Sequence, residues 1–184
     1  MSDLNLPPVG SAVRSSGGRW VRPAAVVLAI GVIGVDQLAK GWARTLTAPV
    51  EIAPFLNLHL SFNRGVTFGL LSADGEAGRW LLVALTGAVA AAVLVAAWRT
   101  RRLAPALALG AVAGGALGNI ADRIRLGAVT DFIDLHLAGR HWPTFNLADS
   151  AIVIGLALVL FDASRRSAQT EAPPSTPGER RPRP

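Results

Sequence analysis

Two apolar segments without a charged residue, 80–98 and 103–120, constrain the fold of this chain more than any other feature. Each is long enough to cross the roughly 30 Å hydrocarbon core of a bilayer as a helix, which needs about 20 residues. Two further apolar segments occupy 23–43 and 146–161. Only 16% of the 184 residues are charged and 51% are hydrophobic, whereas soluble domains carry about 25% charged residues. The sequence therefore predicts an integral membrane protein with four helical spans.

The first apolar segment follows basic residues, as the apolar core of a signal peptide does. No small-x-small cleavage site follows it, however, and three more apolar segments do. We therefore interpret it as an uncleaved first span. Residues 1–22 are rich in Gly, Ser and Pro, and residues 164–184 in Pro, Ser, Glu and Arg. These compositions predict disordered tails on either side of a single membrane domain, 23–163.

Lysine and arginine are distributed unevenly between the two sides of the predicted membrane domain. Eleven lie in the two tails and in the short turn 99–102, and the other seven lie on the opposite side, mostly in the long loops 44–79 and 123–145. The positive-inside rule then places both termini in the cytoplasm and both long loops outside. Membrane orientation also accounts for the net charge of +6, and we expect no nucleic-acid partner.

The first long loop contains one clear strand pattern. Residues 56–63 alternate strictly between apolar and polar side chains, which is typical of a half-buried strand. Arg64 and Gly65 then predict a turn, and 66–68 a short return strand. We expect a small sheet on the membrane surface, with its apolar face toward lipid or substrate.

Two aspartates near the fourth span suggest a reaction. Asp131 lies in the second loop and Asp149 at the start of the span, far enough apart in sequence for the chain to fold back and bring them together. Two adjacent carboxyl groups share a proton, so one can activate water while the other acts as an acid, as in aspartic proteases. Two simpler interpretations stay open at this point. Asp149 could cap its helix in a capping box with Asn146, and Asp131 could be a solvated loop residue.

Other chemistries find little support in the sequence. Cysteine is absent, which excludes disulfides and a cysteine nucleophile. The three histidines, His59, His136 and His141, are too scattered to indicate a metal site. We therefore expect neither a metal nor another cofactor.

Charged and polar residues near the helix ends could support such a site. Asn119, Asp122 and Arg123 are spaced i, i+3, i+4 at the end of the third span, where they could hold loops near the aspartates or anchor the helix at the interface. Asp36 and Lys40 are spaced i, i+4 with the acid first, which favours an ion pair. That pair could either support the site or simply let two charges sit at the membrane interface.

Gly110, Gly114 and Gly118 recur every four residues along the third span. This spacing places small residues on one helix face and lets a second helix approach closely. Helix packing is sufficient to explain these glycines.

Five motifs, in a fixed order over about residues 23–163, make the chain resemble lipoprotein signal peptidase (signal peptidase II), a family of bacterial membrane aspartic endopeptidases. One departure is Val66-Thr67, where the family often has small residues, and it bears on substrate contact. The motifs are Asp36-Gln37-x-x-Lys40, Phe62-Asn63-x-Gly65-x-x-Phe68-Gly69, Gly114-Gly115-x-x-Gly118-Asn119-x-x-Asp122-Arg123, Val129-x-Asp131-Phe132-x-Asp134, and Trp142-Pro143-x-Phe145-Asn146-x-Ala148-Asp149.

The resemblance implies an all-α membrane protein with four transmembrane helices and a small extracytoplasmic β-sheet in the first long loop. It implies a monomer in the bacterial cytoplasmic membrane, in contact with membrane lipid, with its active site at the extracytoplasmic face. The implied substrate is a prolipoprotein whose cysteine carries diacylglycerol, cut just before that cysteine. The implied catalytic pair is Asp131 and Asp149, and the implied substrate-binding or supporting residues are Asp36, Lys40, Asn63, Gly65, Asn119, Asp122, Arg123, Val129, Asn146 and Ala148.

Two hypotheses of another class can be weighed against a peptidase. Intramembrane acids also serve proton relays, as in a proton-coupled carrier or channel, but the second and third spans contain no ionisable residue. The chain could instead be a membrane scaffold that packs through its glycines. Cleavage of a peptide by the purified protein would distinguish these hypotheses.

Overall fold

The computed structural model describes residues 20–65 and 75–171. Each of its four helices is long and apolar enough to cross a membrane, which confirms the prediction of a multi-pass membrane protein. The first 19 residues and the last 13, where tails were predicted, lie outside the described residues. The helices are α1 (Val21–Ala43), α2 (Glu76–Arg99), α3 (Leu103–Leu126) and α4 (Leu147–Glu171).

Helices α3 and α4 continue six residues or more beyond the C-terminal ends of their apolar segments. Helix α3 continues past residue 120 to Leu126 and ends at Gly127, whose φ of 75° is left-handed. Glycine adopts this conformation without the strain that a Cβ would cause, so it ends the helix cleanly. Helix α4 continues to Glu171, so residues 164–171, expected in the disordered tail, are helical. The extension of α3 matters for the site because it carries Asp122 and Arg123.

Helix α3 is the central helix of the bundle. It is 56% buried over its membrane window, against 22% or less for each of the other three helices. Its glycines bring the neighbours close, because a Cβ on Gly110 would lie 2.6 Å from the carbonyl oxygen of Ala25, and one on Gly114 would lie 2.6 Å from that of Ala29. The prediction that this glycine spacing serves close helix packing is therefore confirmed, with α1 as the partner.

A four-stranded antiparallel sheet lies at the end of the bundle where α1 and α3 end and α2 and α4 begin. Its order is β1-β2-β3-β4. The predicted strand is confirmed as β2, with the expected bounds, and the predicted return strand 66–68 lies outside the described residues. The strands are β1 (Val50–Ala53), β2 (Leu56–Asn63), β3 (Val129–Leu137) and β4 (Arg140–His141).

The sheet is not confined to the first long loop, because β3 and β4 come from the second. The sequence analysis did not predict these two strands. In the register of β2 against β3, Ser61 lies opposite Asp131 and Asn63 opposite Val129. The two long loops are therefore joined through backbone pairing, which brings Asn63 close to Asp131.

Candidate active site

Asp131 and Asp149 reach the same site from different elements, β3 and the first turn of α4. Asn146 contacts both carboxyl groups. Its side-chain amide donates a hydrogen bond of 2.6 Å to Asp131 Oδ1, and its backbone N–H donates one of 3.3 Å to Asp149 Oδ2. One residue therefore links the two aspartates that the sequence analysis paired.

Asp149 also caps its helix. Its backbone N–H donates to Asn146 Oδ1 at 2.9 Å, while its side chain accepts from the Asn146 backbone. This reciprocal arrangement is a capping box. The capping interpretation and the active-site interpretation are therefore compatible, because capping leaves Asp149 Oδ1 free to accept a 2.8 Å bond from the Asn119 amide.

Asp131 is 1% exposed. Its Oδ2 atom accepts a hydrogen bond of 3.2 Å from the side-chain amide of Asn63. Burial, followed by the negative charge of Asp149, raises the pKa of Asp131 to about 6, although the amides of Asn146 and Asn63 favour the ionised form. Such a carboxyl group can hold a proton at a pH where an ordinary aspartate is ionised.

Lys40 is the centre of the buried polar network behind the two aspartates. It is fully buried, and its ammonium lies 2.8 Å from Asp36, 2.7 Å from Asn119 Oδ1 and 3.4 Å from Asp122. The predicted ion pair with Asp36 is therefore confirmed. The alternative, that the pair simply lets two charges sit at the membrane interface, does not account for the contacts of Lys40 with Asn119 and Asp122. Three acceptors match the three N–H donors of the ammonium. The side-chain amide of Asn119 also donates a hydrogen bond to Asp149, so that Asn119 connects Lys40 with Asp149.

Asp122 and Arg123 point to different partners, as expected for sequence neighbours on a helix. Asp122 accepts a 3.0 Å bond from the backbone N–H of Thr130, next to Asp131. Arg123 donates a 3.1 Å bond to the carbonyl of Gly65. Arg123 therefore holds the end of the first-loop strand, while Asp122 contacts the backbone next to Asp131.

The Arg123 guanidinium has a further N–H donor, Nε, that does not take part in the contact with Gly65. Its Nε atom is buried and has no hydrogen-bond partner among the described residues. Leaving such a donor unpaired costs about 1–3 kcal/mol. The unpaired Nε therefore marks a position where a bound molecule could accept a hydrogen bond.

A cavity of about 620 Å³ lies beside this network. Six of the predicted residues line it. Six others are buried and are not among its lining residues: Asp36, Lys40, Asp122, Asp131, Asn146 and Ala148. The predicted residues that line it are Asn63, Gly65, Asn119, Arg123, Val129 and Asp149.

Most of the remaining wall was not singled out from the sequence. The segment 142–145, hereafter the wall segment, forms one side of the cavity, and Ser150 with 152–154 of α4 forms another. The wall segment itself had been noted in the sequence as the Trp-Pro-x-Phe part of a motif, but its residues were not predicted to line the site. Arg44 was also missed, and its guanidinium donates a 3.1 Å bond to the Thr130 hydroxyl.

The comparisons with known proteins agree with this geometry. A family model described as signal peptidase (SPase) II matches residues 28–165. The lipoprotein signal peptidase of Paraburkholderia phymatum is 43% identical over 150 residues, which are 80% of this chain and 88% of that protein. That of Beijerinckia indica is 44% identical over 134 residues, 70% of this chain and 80% of that protein.

A solved structure has the same fold. It is a bacterial membrane enzyme determined by the in meso method at 2.3 Å resolution, with a TM-score of 0.73 and 27% identity over 84% of this chain and 95% of that one. The family model and these relatives each cover most of the sequence, so the chain belongs to the signal peptidase II family.

Proposed function

We propose that this chain is an aspartic endopeptidase that removes the signal peptide from lipid-modified lipoprotein precursors, with Asp131 and Asp149 as its catalytic pair. The observation that carries the proposal is the link through Asn146, which hydrogen-bonds to both carboxyl groups. The name shared by the relatives, lipoprotein signal peptidase, supports the substrate class. Two carboxyl groups held in one site share a single proton, which is the resting state of an aspartic protease.

In the proposed reaction the ionised carboxylate takes a proton from water as the water oxygen attacks the scissile carbonyl. The protonated carboxyl group donates its proton to the carbonyl oxygen, giving a tetrahedral gem-diol. The amine then leaves with a proton from the first carboxyl group, and a diol proton returns to the second. The raised pKa of Asp131, about 6, allows the resting pair to keep one proton at a pH where ordinary aspartates are ionised.

The cavity has both polar and apolar sides for such a substrate. Arg123 with its unpaired Nε, together with Asn63 and Asn119, offers hydrogen-bond donors to an extended peptide. On α4, Val153 and Ile154 line the cavity and are also 67% and 60% exposed on the helix surface. An acyl chain attached to the substrate could therefore stay in lipid while the bond before the modified cysteine reaches the aspartates.

The site is proposed to lie at the extracytoplasmic face, with both termini in the cytoplasm. The support is the distribution of Lys and Arg along the sequence, with eleven in the two tails and the turn 99–102 against seven on the side of the two long loops, combined with the positive-inside rule. A lipoprotein precursor exported across the membrane presents its cleavage site on that outer side.

The carrier hypothesis gains no support from the charge distribution. The buried charged side chains of the described residues all lie at the sheet end of the bundle: Asp36, Lys40, Asp122, Asp131 and Asp134. A proton relay needs such groups across the membrane. The scaffold hypothesis explains the glycines but leaves the two linked aspartates without a role.

Cleavage of a synthetic peptide by the purified chain in lipid nanodiscs tests the proposal. A peptide with a diacylglyceryl cysteine should be cut before that cysteine, as mass spectrometry of the products would show, and the unmodified peptide should be cut far less. Asp131→Asn and Asp149→Asn should each lose about 1,000-fold or more in turnover.

The matched control is Asp162→Asn. This residue lies on α4 at the end opposite the sheet, where it pairs with Arg102 and Arg166 at 2.8 Å, and its variant should retain activity. Substantial turnover by a well-folded Asp131→Asn or Asp149→Asn variant would refute the catalytic pair.

A further inference from the structure

Two of the chain's three histidines, His59 and His141, lie within 4 Å of one aspartate on the sheet, and the third, His136, packs against His141. They come from three different strands, His59 from β2, His136 from β3 and His141 from β4. The aspartate is Asp134 of β3, a residue that takes no part in the network behind the catalytic pair. The described residues include no group of His, Asp and Glu that could hold a metal ion. The cluster therefore needs another explanation.

The side chain of Asp134 makes its shortest contact with His141. The imidazole Nδ1–H donates to Asp134 Oδ1 at 2.8 Å, and the same nitrogen is 3.0 Å from Oδ2. His59 lies farther away, with Nδ1 at 3.8 Å from Oδ2. Burial would raise the pKa of Asp134, but the hydrogen bond and charge of His141, with the charge of His59, hold this pKa below its usual value.

The remaining neighbours of this pair are few. Asn57 of β2 lies opposite Asp134 in the sheet register. The rings of His136 and His141 are 4.9 Å apart between centroids, and Arg140 precedes His141 on β4. Among the described residues, His141 alone both hydrogen-bonds to Asp134 and adjoins the wall segment.

The wall segment is tied to β3 on both sides of Asp134. The Trp142 backbone N–H donates to the Leu135 carbonyl at 2.8 Å, and the Phe145 N–H donates to the Ile133 carbonyl at 3.1 Å. The Asp134–His141 contact adds a side-chain tie between these two backbone ties. It joins the strand to the residue immediately before Trp142, which lines the cavity.

We propose that Asp134 and His141 are positioning residues that fix the wall segment against β3 and so determine how tightly the cavity binds the apolar part of its substrate. The tie is tightest when His141 is protonated, because a charged donor strengthens the hydrogen bond to a carboxylate. This inference rests on the proposed peptidase function.

Steady-state kinetics of Asp134→Asn and His141→Gln with the lipid-modified peptide test the proposal. Both variants keep hydrogen-bonding side chains but lose the ion pair. We expect KM to rise about three- to fivefold, because a partly exposed pair contributes modestly. The kcat of both variants should stay within about twofold of the wild-type value.

Glu51→Gln is the matched control. Glu51 is an exposed acid on the same sheet, opposite Asn57, and its removal should leave KM unchanged. An equal rise in KM for this variant, or a loss confined to kcat in Asp134→Asn and His141→Gln, would each overturn the proposal.

A second measurement does not depend on activity. In chain labelled with 5-fluorotryptophan, the Trp142 resonance can be assigned by its absence in Trp142→Phe. It should move in Asp134→Asn relative to the wild type, because the wall segment loses its ion pair with β3, and it should stay in place in Glu51→Gln. An unchanged Trp142 resonance in Asp134→Asn would contradict the positioning role.

The two measurements keep the proposals separable. A wild-type chain that cuts no lipopeptide would refute the proposed function, while the fluorine spectra would still decide whether the tie exists. If the buried Asp134→Asn variant fails to fold, His141→Gln decides both measurements, because the His141 side chain is 56% exposed.

Discussion

Asp36 Oδ1 accepts a 2.9 Å hydrogen bond from the backbone N–H of Ala148, joining the first helix to the start of the last across 112 residues of sequence. The other oxygen of the same carboxylate pairs with Lys40 at 2.8 Å. Asp149 follows Ala148 directly. The position of this proposed catalytic residue is therefore set partly by a carboxylate on α1 that does not itself line the cavity.

Asp36→Asn should weaken both the fold and the proposed activity. The amide can still accept from Ala148, but it leaves the fully buried Lys40 with one carboxylate partner, Asp122, at 3.4 Å. Breaking a buried pair from one side costs about 3–5 kcal/mol, so thermal unfolding should show a large loss of stability together with reduced turnover. Asp162→Asn, whose pairs are partly exposed, should cost about 1 kcal/mol or less. Similar losses from both variants would mean that burial of the Asp36 pair has no special effect.

The stability of the protein should depend on pH through Asp131. Its pKa is raised in the folded state, from 3.8 to about 6, so the folded chain keeps this proton more firmly than the unfolded chain does. The resulting stabilisation is fully present below about pH 4 and is lost as pH rises through about 6, a change on the order of 3 kcal/mol. Asn cannot ionise, so the stability of Asp131→Asn relative to wild type should increase between about pH 4 and 6 and then level off.

Denaturant unfolding of the two proteins at a series of pH values measures this difference directly. The free energies of unfolding of the two proteins should also differ by a constant amount, because an amide and a carboxyl group form different hydrogen bonds. This constant difference does not affect the trend with pH. A difference that stays flat or falls with rising pH would contradict the raised pKa.

Arg123→Lys should lose much of the activity, whereas Arg125→Lys should lose little. Arg123 donates to the Gly65 carbonyl, and its buried Nε has no partner among the residues that the structure describes. Lysine keeps the charge but not the planar set of donors. Arg125 lies in the same last turn, but it is exposed and contacts Gln37 at 3.3 Å. Peptide cleavage and thermal stability should be measured together, and equal effects of the two substitutions would mean that charge alone matters at Arg123.

The elements predicted best from the sequence were those whose pattern is local. The length of the apolar segments identifies the four helices, and strict alternation gives β2 its bounds, because each pattern depends only on neighbouring residues. The Asp36–Lys40 pair and the close packing of Gly110 and Gly114 followed from helical spacing in the same way.

Features that depend on distant contacts were not predicted. The first four residues of β3 are all buried, so this strand lacks the alternation that revealed β2, as expected for a strand covered on both faces. The last turns of α3 were not predicted because they contain charged residues, so the apolar pattern stops at residue 120 while the helix continues to Leu126. The partner of Arg123 and the meeting of the histidines depend on the pairing of the two long loops, which has no local signature.

The proposed orientation can be tested with single cysteines, because the chain has none of its own. Ala138→Cys lies between β3 and β4, and Ser167→Cys lies in the last turns of α4, at the opposite end of the bundle. On intact cells a membrane-impermeant thiol reagent should label the first and not the second. After permeabilisation both should react, which controls for accessibility. Labelling of Ser167→Cys on intact cells would reverse the proposed orientation.

Gly115→Ala should displace the start of α4 and reduce activity more than its small change in volume suggests. A Cβ on Gly115 would overlap the carbonyl oxygen of Ala148 and lie 2.9 Å from Ile152 Cγ1. Because the first obstacle is backbone, the helix that carries Asp149 has to move. Overpacking of this kind costs about 1–3 kcal/mol, and a displacement of about 1 Å at a catalytic group can cost about 100-fold in rate.

Gly87→Ala is the matched control for this substitution. A Cβ on Gly87 of α2 would meet nothing within 4 Å, and alanine is the better helix former, so its stability should be equal or slightly higher. Turnover and melting temperature of both variants in the same lipid nanodiscs decide the question. If Gly115→Ala matches Gly87→Ala in both measurements, α4 has room to accept the extra methyl group, and close packing at Gly115 does not set the position of Asp149.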